Sequence, residues 1–360
     1  MRQFHERLIF CTFFMCSIIA AVSAVPIYPG NLTAHFIDVG EGDAIFLVSP
    51  GNNTVLIDAG CNESMGARVV DYIRSTGFDL DMIIATHSDY DHIGGIPTVL
   101  MNFTPRVFID SPYPAIPWTE TYTAIRTRIN QTNISYQAIK AGEYDLVYQG
   151  MNLSVLNPQQ EPFTDTDNNS LVLQVGYGTV EFLLMGDAGD AAEQAIMQNF
   201  PTLGADLLKV GVHGSASATS PAFLARVNPG IAIIEAGAGN TYGHPAPSTL
   251  ANLDAAGATV YRTDLNGTIV VTTDGTSSFV STGAKNIRPI QGYIDFPTDP
   301  DGDGLYEDLN GNGKKDFADV VILFRERVWI SVNEPVNAMD FNRNGKIDFD
   351  DVVKLFKKKR

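Results

Sequence analysis

The chain has 360 residues, of which 44% are hydrophobic, enough to bury a substantial core. This length indicates one large domain plus a small one, or two medium domains. The formal net charge is −17, from 24 Lys and Arg against 41 Asp and Glu. Such a surface repels polyanions and excludes nucleic-acid binding through general positive charge, so a nucleic-acid substrate would need local features or metals.

The first 24 residues are typical of a secretory signal peptide. A weakly basic start at 1–7 is followed by an apolar run at 8–22, and small residues at 22–24 precede a cleavage position before Val25. A single-span anchor is the alternative, although the run is short for a span and no later segment is long enough. We therefore expect a secreted, extracellular or cell-surface protein with no membrane span after signal removal.

Cysteine usage and glycosylation sequons also fit export. Cys11 and Cys16 belong to the predicted signal peptide, so Cys61 is left alone and cannot form an internal disulfide. The rest of the chain carries nine Asn-x-Ser/Thr sequons, which are compatible with an extracellular glycoprotein. They begin at Asn31, Asn52, Asn62, Asn102, Asn130, Asn133, Asn152, Asn168 and Asn266.

The predicted elements alternate between strands and helices. Short β-branched runs predict strands at 33–39, 44–48 and 55–57, helical apolar spacing predicts a helix at 64–76, and an apolar run predicts a strand at 82–85. This alternation predicts an α/β layered domain over residues 25–290, a linker at 291–298 and a second unit at 299–360. The later predictions are strands at 171–175, 180–185, 206–210, 231–235 and 268–272 and a helix at 190–199.

The run His87-Ser88-Asp89-Tyr90-Asp91-His92 places four potential metal ligands directly after the predicted strand at 82–85. A loop at a strand end is held firmly and can turn alternate side chains toward one point. Imidazole and carboxylate ligands together suit a divalent ion. Gly94 and Gly95 follow and would allow a tight turn into a helix. The alternative is a solvated loop with helix-capping aspartates.

This run resembles the metallo-β-lactamase superfamily motif His-x-His-x-Asp-His, in the variant with Asp for the second His. That variant occurs in the extracellular hydrolase domain of ComEC-type DNA-uptake proteins. The resemblance implies a four-layer αββα sandwich and a hydrolase with two divalent ions, Zn or Mn. Other segments that resemble this subfamily lie in order at 35–44, where Gln is more usual than Glu41, and at 56–60, 168–173, 184–188, 209–215 and 242–245.

The resemblance also implies a set of metal ligands. They are His87 and Asp89 at a first position, Asp91 and His92 at a second, Asp187 as the carboxylate bridging both ions, and His213 as the last histidine. An N-cap for the helix at 190 is the alternative for Asp187.

Two departures from the family pattern affect this set. Val212 replaces the first histidine of the usual His-His pair, and no histidine between 92 and 187 supplies the third ligand of the first position. Asn168 or Asn169 would approach that position as a weaker ligand, which would leave it loose or suited to a harder ion such as Mn²⁺.

Further residues are candidates for catalysis and substrate binding. Asp91 and His244 are the predicted catalytic residues; His244 would lie at the active-site rim, where it would donate a proton to a leaving group or contact a phosphate. A turn histidine is the alternative. Lys209, Ser215 and Asn169 are predicted to contact an anionic substrate, with a solvated lysine and a helix-capping serine as alternatives.

Two segments near the C-terminus repeat the EF-hand calcium-loop pattern. Residues 308–319 place oxygen-bearing side chains at positions 1, 3, 5, 9 and 12 with Gly at position 6, and 340–351 repeat the pattern. Amphipathic helices are predicted at 320–325 and 352–357. The pair resembles a dockerin module, which implies a small α-helical domain and calcium-dependent docking to a cohesin-type partner. The predicted calcium ligands are Asp308, Asn310, Asn312, Lys314, Asp316 and Asp319, then Asp340, Asn342, Asn344, Lys346, Asp348 and Asp351.

The leading functional hypothesis is an exported nuclease or phosphodiesterase of the ComEC-like type, with a small or polymeric anionic substrate, DNA included. The fold also hosts lactonases, β-lactamases and phosphocholine esterases, so a hydrolase of that kind is a second hypothesis. The third is an eroded metal domain that serves as a cell-surface binding module and docks through calcium.

Overall fold

The computed structural model describes residues 30–148, 150–282, 290, 292–293, 297–298, 305–333, 339–342 and 346–358. The predicted signal peptide at 1–24, part of the predicted linker at 291–298 and the predicted calcium ligand Asn344 lie outside these ranges. Within them, no helix combines the length and the apolar character needed to cross a membrane.

Short strands dominate the large domain. Several are buried along their whole length, as expected for apolar runs in the middle of a layered sheet. In chain order the strands are β1 (Leu32–Phe36), β2 (Ile45–Val48), β3 (Thr54–Ile57), β4 (Met82–Ala85), β5 (Val107–Asp110), β6 (Ser135–Ala138), β7 (Asp145–Tyr148), β8 (Met151–Asn157), β9 (Val172–Tyr177), β10 (Val180–Leu184), β11 (Leu207–Lys209), β12 (Ile231–Ile234), β13 (Thr259–Arg262), β14 (Ile269–Thr273) and β15 (Ser278–Thr282).

The helices begin and end at recognisable local signals. The helix at Glu63–Thr76, for example, begins where Oδ1 of Asn62 accepts the N–H of Met65 and ends at Gly77, whose φ of 80° is left-handed. In chain order the helices are α1 (Glu63–Thr76), α2 (Tyr90–Ile93), α3 (Ile96–Asn102), α4 (Glu120–Gln131), α5 (Asp190–Asn199), α6 (Pro221–Val227), α7 (Pro247–Ala255), α8 (Thr263–Asn266), α9 (Phe317–Asn333) and α10 (Phe349–Lys358).

The strands form two sheets. The first has the order β15-β14-β1-β2-β3-β4-β5-β6, in which β3 to β6 are parallel. The second has the order β13-β12-β11-β10-β9-β8-β7, in which β10 to β13 are parallel. In both sheets, therefore, the carboxyl ends of several adjacent strands lie at the same edge.

The two sheets pack face to face, and helices cover their outer faces. Side chains such as Phe36 and Phe182 form the central core between the sheets. A second core lies between the first sheet and α1, α3 and α4, and a third lies between the second sheet and α5, α6 and α7. The α/β sandwich predicted for the large domain is confirmed.

Most of the predicted elements of this domain are present. The strand at 82–85 and the helix at 190–199 have the predicted bounds. Strand β1 ends at Phe36 rather than at 39, because residues 37–44 form a turn in which the N–H of Ile37 donates to the carbonyl of Ala44 (2.8 Å). Residues 96–170, which lie outside the predicted elements, form α3, α4 and β5 to β8.

The C-terminal unit is helical. Helices α9 and α10 pack on each other, and residues such as Leu323 and Leu355 form a small core of their own with the apolar residues of the adjoining loops. Helix α9 is longer than the predicted helix at 320–325, because its apolar pattern continues through Ile330. The identity of this unit as a dockerin-type module stays a prediction.

Candidate metal centre

The predicted metal ligands lie where the carboxyl ends of strands from both sheets meet. Strand β4 leads directly into Thr86 and His87, and β10 leads into Asp187. Strand β11 leads to His213 through a short 3-10 turn at Val212–Gly214. Because neighbouring strands hold each of these strands in place, residues far apart in the sequence are brought to one point.

Four predicted ligands form a compact cluster, termed here the second position. The ligand atoms of Asp91, His92, Asp187 and His213 all lie within 4.8 Å of one another. Oδ2 of Asp187 lies 3.2 Å from Nε2 of His92 and 3.4 Å from Nε2 of His213. Oδ2 of Asp91 lies 3.2 Å from the same nitrogen of His213. The carboxylates and imidazoles therefore face a common point.

Each histidine of the centre is oriented through its other ring nitrogen. Nδ1 of His92 donates to Oδ2 of Asp58 (2.8 Å), and Nδ1 of His213 donates to the carbonyl that follows β12 (3.0 Å). Nδ1 of His87 donates to the hydroxyl of Thr86 (3.1 Å), whose own proton goes to Asp58. With Nδ1 engaged in this way, the Nε2 lone pair of each ring faces the centre.

Four nitrogen and oxygen atoms of the ligand side chains are buried and have no hydrogen-bond partners in the described structure. They are Nε2 of His87, His92 and His213 and Oδ1 of Asp187. A buried polar atom without a partner destabilises the fold unless something binds it. A divalent cation satisfies imidazole and carboxylate atoms together. The residues present therefore fit the metal that the sequence motif implies.

Charge coupling is strong in the second position. Burial alone would lower the pKa of His92 and of His213, but Asp187 and the neighbouring carboxylates raise both pKa values well above the usual range. Burial would raise the pKa of Asp187, but the two imidazoles hold it well below its usual value. The pKa of Asp91 is lowered to about 2, because His213 and His92 outweigh burial. Protons and a metal ion compete for the imidazoles, so metal affinity falls at low pH.

A second cluster, termed the first position, consists of His87, Asp89 and Asp167. Their ligand atoms all lie within 4.8 Å of one another. Nε2 of His87 also lies 4.0 Å from Oδ2 of Asp187, which links the two positions. Burial, with the carboxylates of Asp165, Asp187 and Asp89, raises the pKa of Asp167 to about 6. This crowding of like charges is relieved when a cation binds.

Asp167 is the residue that the sequence analysis missed, and the two asparagines proposed in its place are engaged elsewhere. Oδ1 of Asn168 accepts two backbone N–H groups at the start of α5 (both 3.1 Å). The Asn169 amide bonds to the backbone N–H and carbonyl of Phe163 (2.8 and 3.0 Å). Both amides hold the loop, and their predicted roles, a weak third ligand and a substrate contact by Asn169, stay predictions. Asn168 is also buried, so in the folded protein its side chain is not accessible for glycosylation.

Lys209 has different surroundings from those predicted. Its side chain is fully buried, and its ammonium group is bound to Asp43 and donates to the carbonyl of Gly186 (3.1 Å). Oδ1 of Asp43 in turn lies 3.3 Å from Nδ1 of His213. Lys209 therefore neutralises a carboxylate that holds a metal-site histidine, and the predicted contact with a substrate is replaced by this supporting role.

His244 lies partly buried at the rim of the centre. Its ring centroid is 6.2 Å from that of His213 and 5.7 Å from that of Tyr242. Its Nδ1 lies 3.4 Å from Oε1 of Glu41. Ser215 follows His213 closely in the chain, and its hydroxyl accepts the N–H of the residue two positions on (3.3 Å). Ser215 thus stabilises its own turn.

Glycines allow the segments around the centre to approach closely. Gly42 has a φ of +118°, and a Cβ there would lie 2.1 Å from the carbonyl oxygen of Asp91. This contact brings the turn between β1 and β2 to the centre. Gly94 and Gly95 have helical dihedral angles, with φ of −58° and −85°. They serve close packing rather than the predicted tight turn, since a Cβ at Gly95 would lie 2.1 Å from the carbonyl of Ala59.

The two predicted calcium loops share one hydrogen-bond pattern. In the first loop, Oδ1 of Asp319 accepts the N–H of position three (3.4 Å) and Oδ2 accepts that of position nine (2.7 Å). In the second loop, Asp351 makes the same two bonds (3.0 and 2.7 Å). Asp308 accepts the N–H groups of Asn312 and Gly313 (3.0 and 2.7 Å). The aspartate at position twelve thus closes both loops in the same way.

Sequence comparison decides the family. A profile of the Metallo-beta-lactamase superfamily matches residues 37–237, which include the whole metal centre. The chain belongs to the metallo-β-lactamase superfamily. Together with the two ligand clusters, this membership identifies a metal-dependent hydrolase fold, as the His87–His92 motif predicts.

Three curated relatives resemble this chain over part of their own length. ComE operon protein 3 of Bacillus subtilis is 31% identical over 71% of this chain and 34% of its own length. Recombination protein 2 of Haemophilus influenzae is 30% identical over 65% of this chain and 28% of its own length. Competence protein ComA of Neisseria gonorrhoeae is 26% identical over 64% of this chain and 31% of its own length. The chain thus spans about a third of these relatives. The resemblance to competence proteins is confirmed at this level.

Two solved structures resemble this chain more distantly. Zn²⁺-bound PqqB from Methylobacterium extorquens is 12% identical with a TM-score of 0.40, covering 62% of this chain and 85% of that one. A metallo-β-lactamase from Cronobacter sakazakii is 16% identical with a TM-score of 0.34, and the match covers 51% of this chain and 77% of that one.

Proposed function

We propose that this protein is a two-metal phosphodiesterase that acts outside the cell on nucleic acid or on smaller phosphodiesters. The observation that carries the proposal is the pair of adjacent clusters around Asp187: His92, His213 and Asp91 lie with it in one, and buried His87 lies in a carboxylate-rich cluster beside it. Zn or Mn held there would supply a water of lowered pKa and positive charge to offset the charge that develops on a phosphate oxygen. Relatives named for competence and recombination favour a phosphodiester substrate over an acyl substrate.

The residues of the chain divide this work between binding and orientation. Asp91, His92, Asp187 and His213 would hold one ion, while His87, Asp89 and Asp167 would hold the other beside Asp187. Asp91 is 34% exposed and has a lowered pKa, so it is an anion at neutral pH and can orient an attacking water by accepting its hydrogen. His244 at the rim would donate a proton to the leaving group.

The acidic surface restricts how a polyanion binds. With a net charge of −17, long-range repulsion opposes the approach of DNA. We therefore expect added salt, up to about 0.2 M, to strengthen DNA binding by screening this repulsion, the reverse of the trend for a basic nucleic-acid-binding protein.

The test is hydrolysis by the purified exported protein, supplied with Mn²⁺ or Zn²⁺. The substrates are bis(p-nitrophenyl) phosphate, single-stranded DNA and the β-lactam nitrocefin. We expect cleavage of the two phosphodiesters, loss of that activity with chelator, and no cleavage of nitrocefin. Cleavage of nitrocefin alone would replace the proposal with a β-lactamase-type function. Absence of both activity and bound metal would favour the binding module.

We propose further that the C-terminal unit binds Ca²⁺ and docks a cohesin-type partner. The matching closure of both loops by the aspartates at position twelve supports calcium binding. Four exposed phenylalanines lie across α9 and α10 and support a docking face. They pair edge to face as Phe317 with Phe356 (6.3 Å) and as Phe324 with Phe349 (6.1 Å).

Calcium titration by calorimetry and thermal unfolding with and without chelator test the calcium proposal. We expect the Asp319→Ala and Asp351→Ala variants to lose one bound Ca²⁺ each. A melting profile that chelator leaves unchanged, with no heat of binding, would remove the proposal. For the partner, Phe324→Ser should weaken capture of a cohesin panel, whereas Met101→Ser, at an exposed position on α3 of the large domain, should not.

A further inference from the structure

The rim histidine has a buried carboxylate partner. Oε1 of Glu41, in the turn between β1 and β2, lies 3.4 Å from Nδ1 of His244. Both atoms are inaccessible to solvent, and neither makes a hydrogen bond in the described structure, so each faces the other as its nearest ionic partner. A buried carboxylate oxygen facing a buried imidazole nitrogen is stable when that nitrogen carries the proton, because a carboxylate only accepts.

Backbone contacts set the separation of the two side chains. Oε2 of Glu41 accepts the N–H of Gly237 (2.7 Å), and a Cβ at Gly237 would lie 2.7 Å from the backbone nitrogen of Glu41. Oδ1 of Asn240 accepts the N–H of His244 (3.0 Å), and its Nδ2 donates to the carbonyl of His244 (2.6 Å). Each partner is thus held by a neighbouring backbone segment, and their contact does not depend on two mobile side chains meeting.

We infer that Glu41 is a positioning residue for His244, an inference that rests on the proposed function. Its carboxylate accepts a hydrogen bond from Nδ1–H of His244. This contact directs Nε2–H to the leaving group of the substrate. In the step, a water oxygen bonds to phosphorus and releases one proton to solvent while the P–O bond to the leaving group breaks. The leaving oxygen takes the Nε2 proton with its electron pair retained, and neutral His244 then recovers a proton from solvent.

The Glu41→Gln variant tests the contact directly, without activity. In this variant the amide oxygen faces the Gly237 N–H, because two N–H donors repel, so the amide NH₂ faces Nδ1 of His244. Nδ1 must then accept, and the imidazole proton moves to Nε2. Nitrogen-15 spectra of histidine-labelled, metal-free protein at alkaline pH report this tautomer, and His244→Gln identifies the signal. We expect Nδ1–H in the natural chain and Nε2–H in the variant; one tautomer in both would overturn the inference.

Kinetics with two leaving groups test the proton donation. His244→Gln should lower kcat about 100-fold on a thymidine dinucleotide, whose alkoxide needs a proton, and less than about threefold on bis(p-nitrophenyl) phosphate. Glu41→Gln should lower kcat about tenfold on the dinucleotide alone, through loss of one charge-assisted hydrogen bond. The double variant should match His244→Gln, because the two residues act as one unit.

The matched control is Glu120→Gln, at an exposed position in the first turn of α4, which should leave both rates unchanged. Equal losses on both substrates in Glu41→Gln, or additive losses in the double variant, would show a merely structural role. If the natural chain cleaves neither substrate with metal present, the proposed function fails, while the spectra still decide whether Glu41 holds His244.

Discussion

The two positions of the metal centre differ in how firmly the fold holds their ligands. In the second position, His92 and His213 are buried and each donates to a fixed acceptor, and Asp187 is 6% exposed. In the first position only His87 is held in this way. Asp89 and Asp167 are partly exposed, and Asp167 begins a short 3-10 turn rather than following a strand.

The difference also extends to ligand chemistry. The second position combines two imidazoles with two carboxylates, a set that suits Zn²⁺. The first combines one imidazole with two carboxylates, a harder set that favours Mn²⁺. We therefore expect the second position to fill first and to bind more tightly, with the first depending on metal supply. Four changes in the chain test this contrast.

Asp187→Asn should have the largest effect, because Asp187 lies between the two positions. Replacing its carboxylate with an amide removes a ligand from both positions. We therefore expect kcat/KM to fall roughly 10³-fold and the variant to retain less than half of the bound metal. Metal analysis and phosphodiester hydrolysis measure this. Asp190→Asn, at an exposed position on the next helix, is the control. Full metal content in Asp187→Asn would show that the two positions are independent.

Lys209→Met should affect the second position through stability. The substitution leaves Asp43 as a buried carboxylate without its cation, a change that costs about 3 kcal/mol. In a domain of this size we expect Tm to fall by roughly 10 °C. Adding Asp43→Asn should restore part of the loss, because the unpaired charge is then removed. If Lys209→Met alone leaves Tm unchanged, the histidines of the second position already neutralise Asp43.

The sequence predicts every residue of the second position and two of the three of the first, but it does not indicate Asp167 or the contacts that hold the histidines in place. His92 and Asp91 follow a buried apolar strand in one contiguous motif, so a local pattern was sufficient. Asp58 lies 34 positions from the histidine that it orients, and no local pattern indicates that contact. The lysine of β11 gives the same lesson, since a lysine after apolar residues predicts a solvated side chain. It is buried because β11 lies between β10 and β12 and because the turn carrying Asp43 meets its ammonium group.

Asp167 was missed for a related reason. It directly precedes Asn168 and Asn169, the first residues of a segment that resembles the family, but nothing local distinguishes its side chain from theirs. The choice depends on the 3-10 turn at 167–169, which directs the amide of Asn168 to helix α5 and the carboxylate of Asp167 to His87. A prediction from residue type alone therefore selects the wrong side chains in this loop.

Asp110→Asn tests the support behind the first position. Asp110 ends β5, and the hydroxyl of Ser111, the next residue, donates to the carbonyl of Asn169 (2.8 Å). Burial raises the pKa of Asp110 to about 7, although the Tyr122 hydroxyl donates to it. Because the folded-state pKa is raised, its stability contribution is full below about pH 4 and is lost as pH rises through 7. Asparagine keeps the acceptor and removes the titration.

The expected result for Asp110→Asn is therefore a gain in stability that becomes larger as the pH rises. Relative to the natural chain, the free energy of unfolding should rise by about 2 kcal/mol more at pH 8.5 than at pH 5. Urea unfolding at the two pH values measures it. Asp79→Asn serves as the comparison and should show no such growth in stability with pH. Asp79 lies in the turn before β4, at the end of β4 away from the metal centre. A gain for Asp110→Asn that is equal at both pH values would contradict the raised pKa.

Asp167→His should have the smallest effect on rate and the most direct effect on the contrast between the positions. It gives the first position the second imidazole that the wider superfamily pattern supplies. A softer ligand set should raise Zn²⁺ affinity about tenfold and reduce the advantage of Mn²⁺. Competition titrations of the two metals measure this ratio. Asp165→His, two residues earlier and outside the ligand cluster, is the control. If both variants shift the ratio equally, Asp167 is not a ligand and the first position is held by His87 and Asp89 alone.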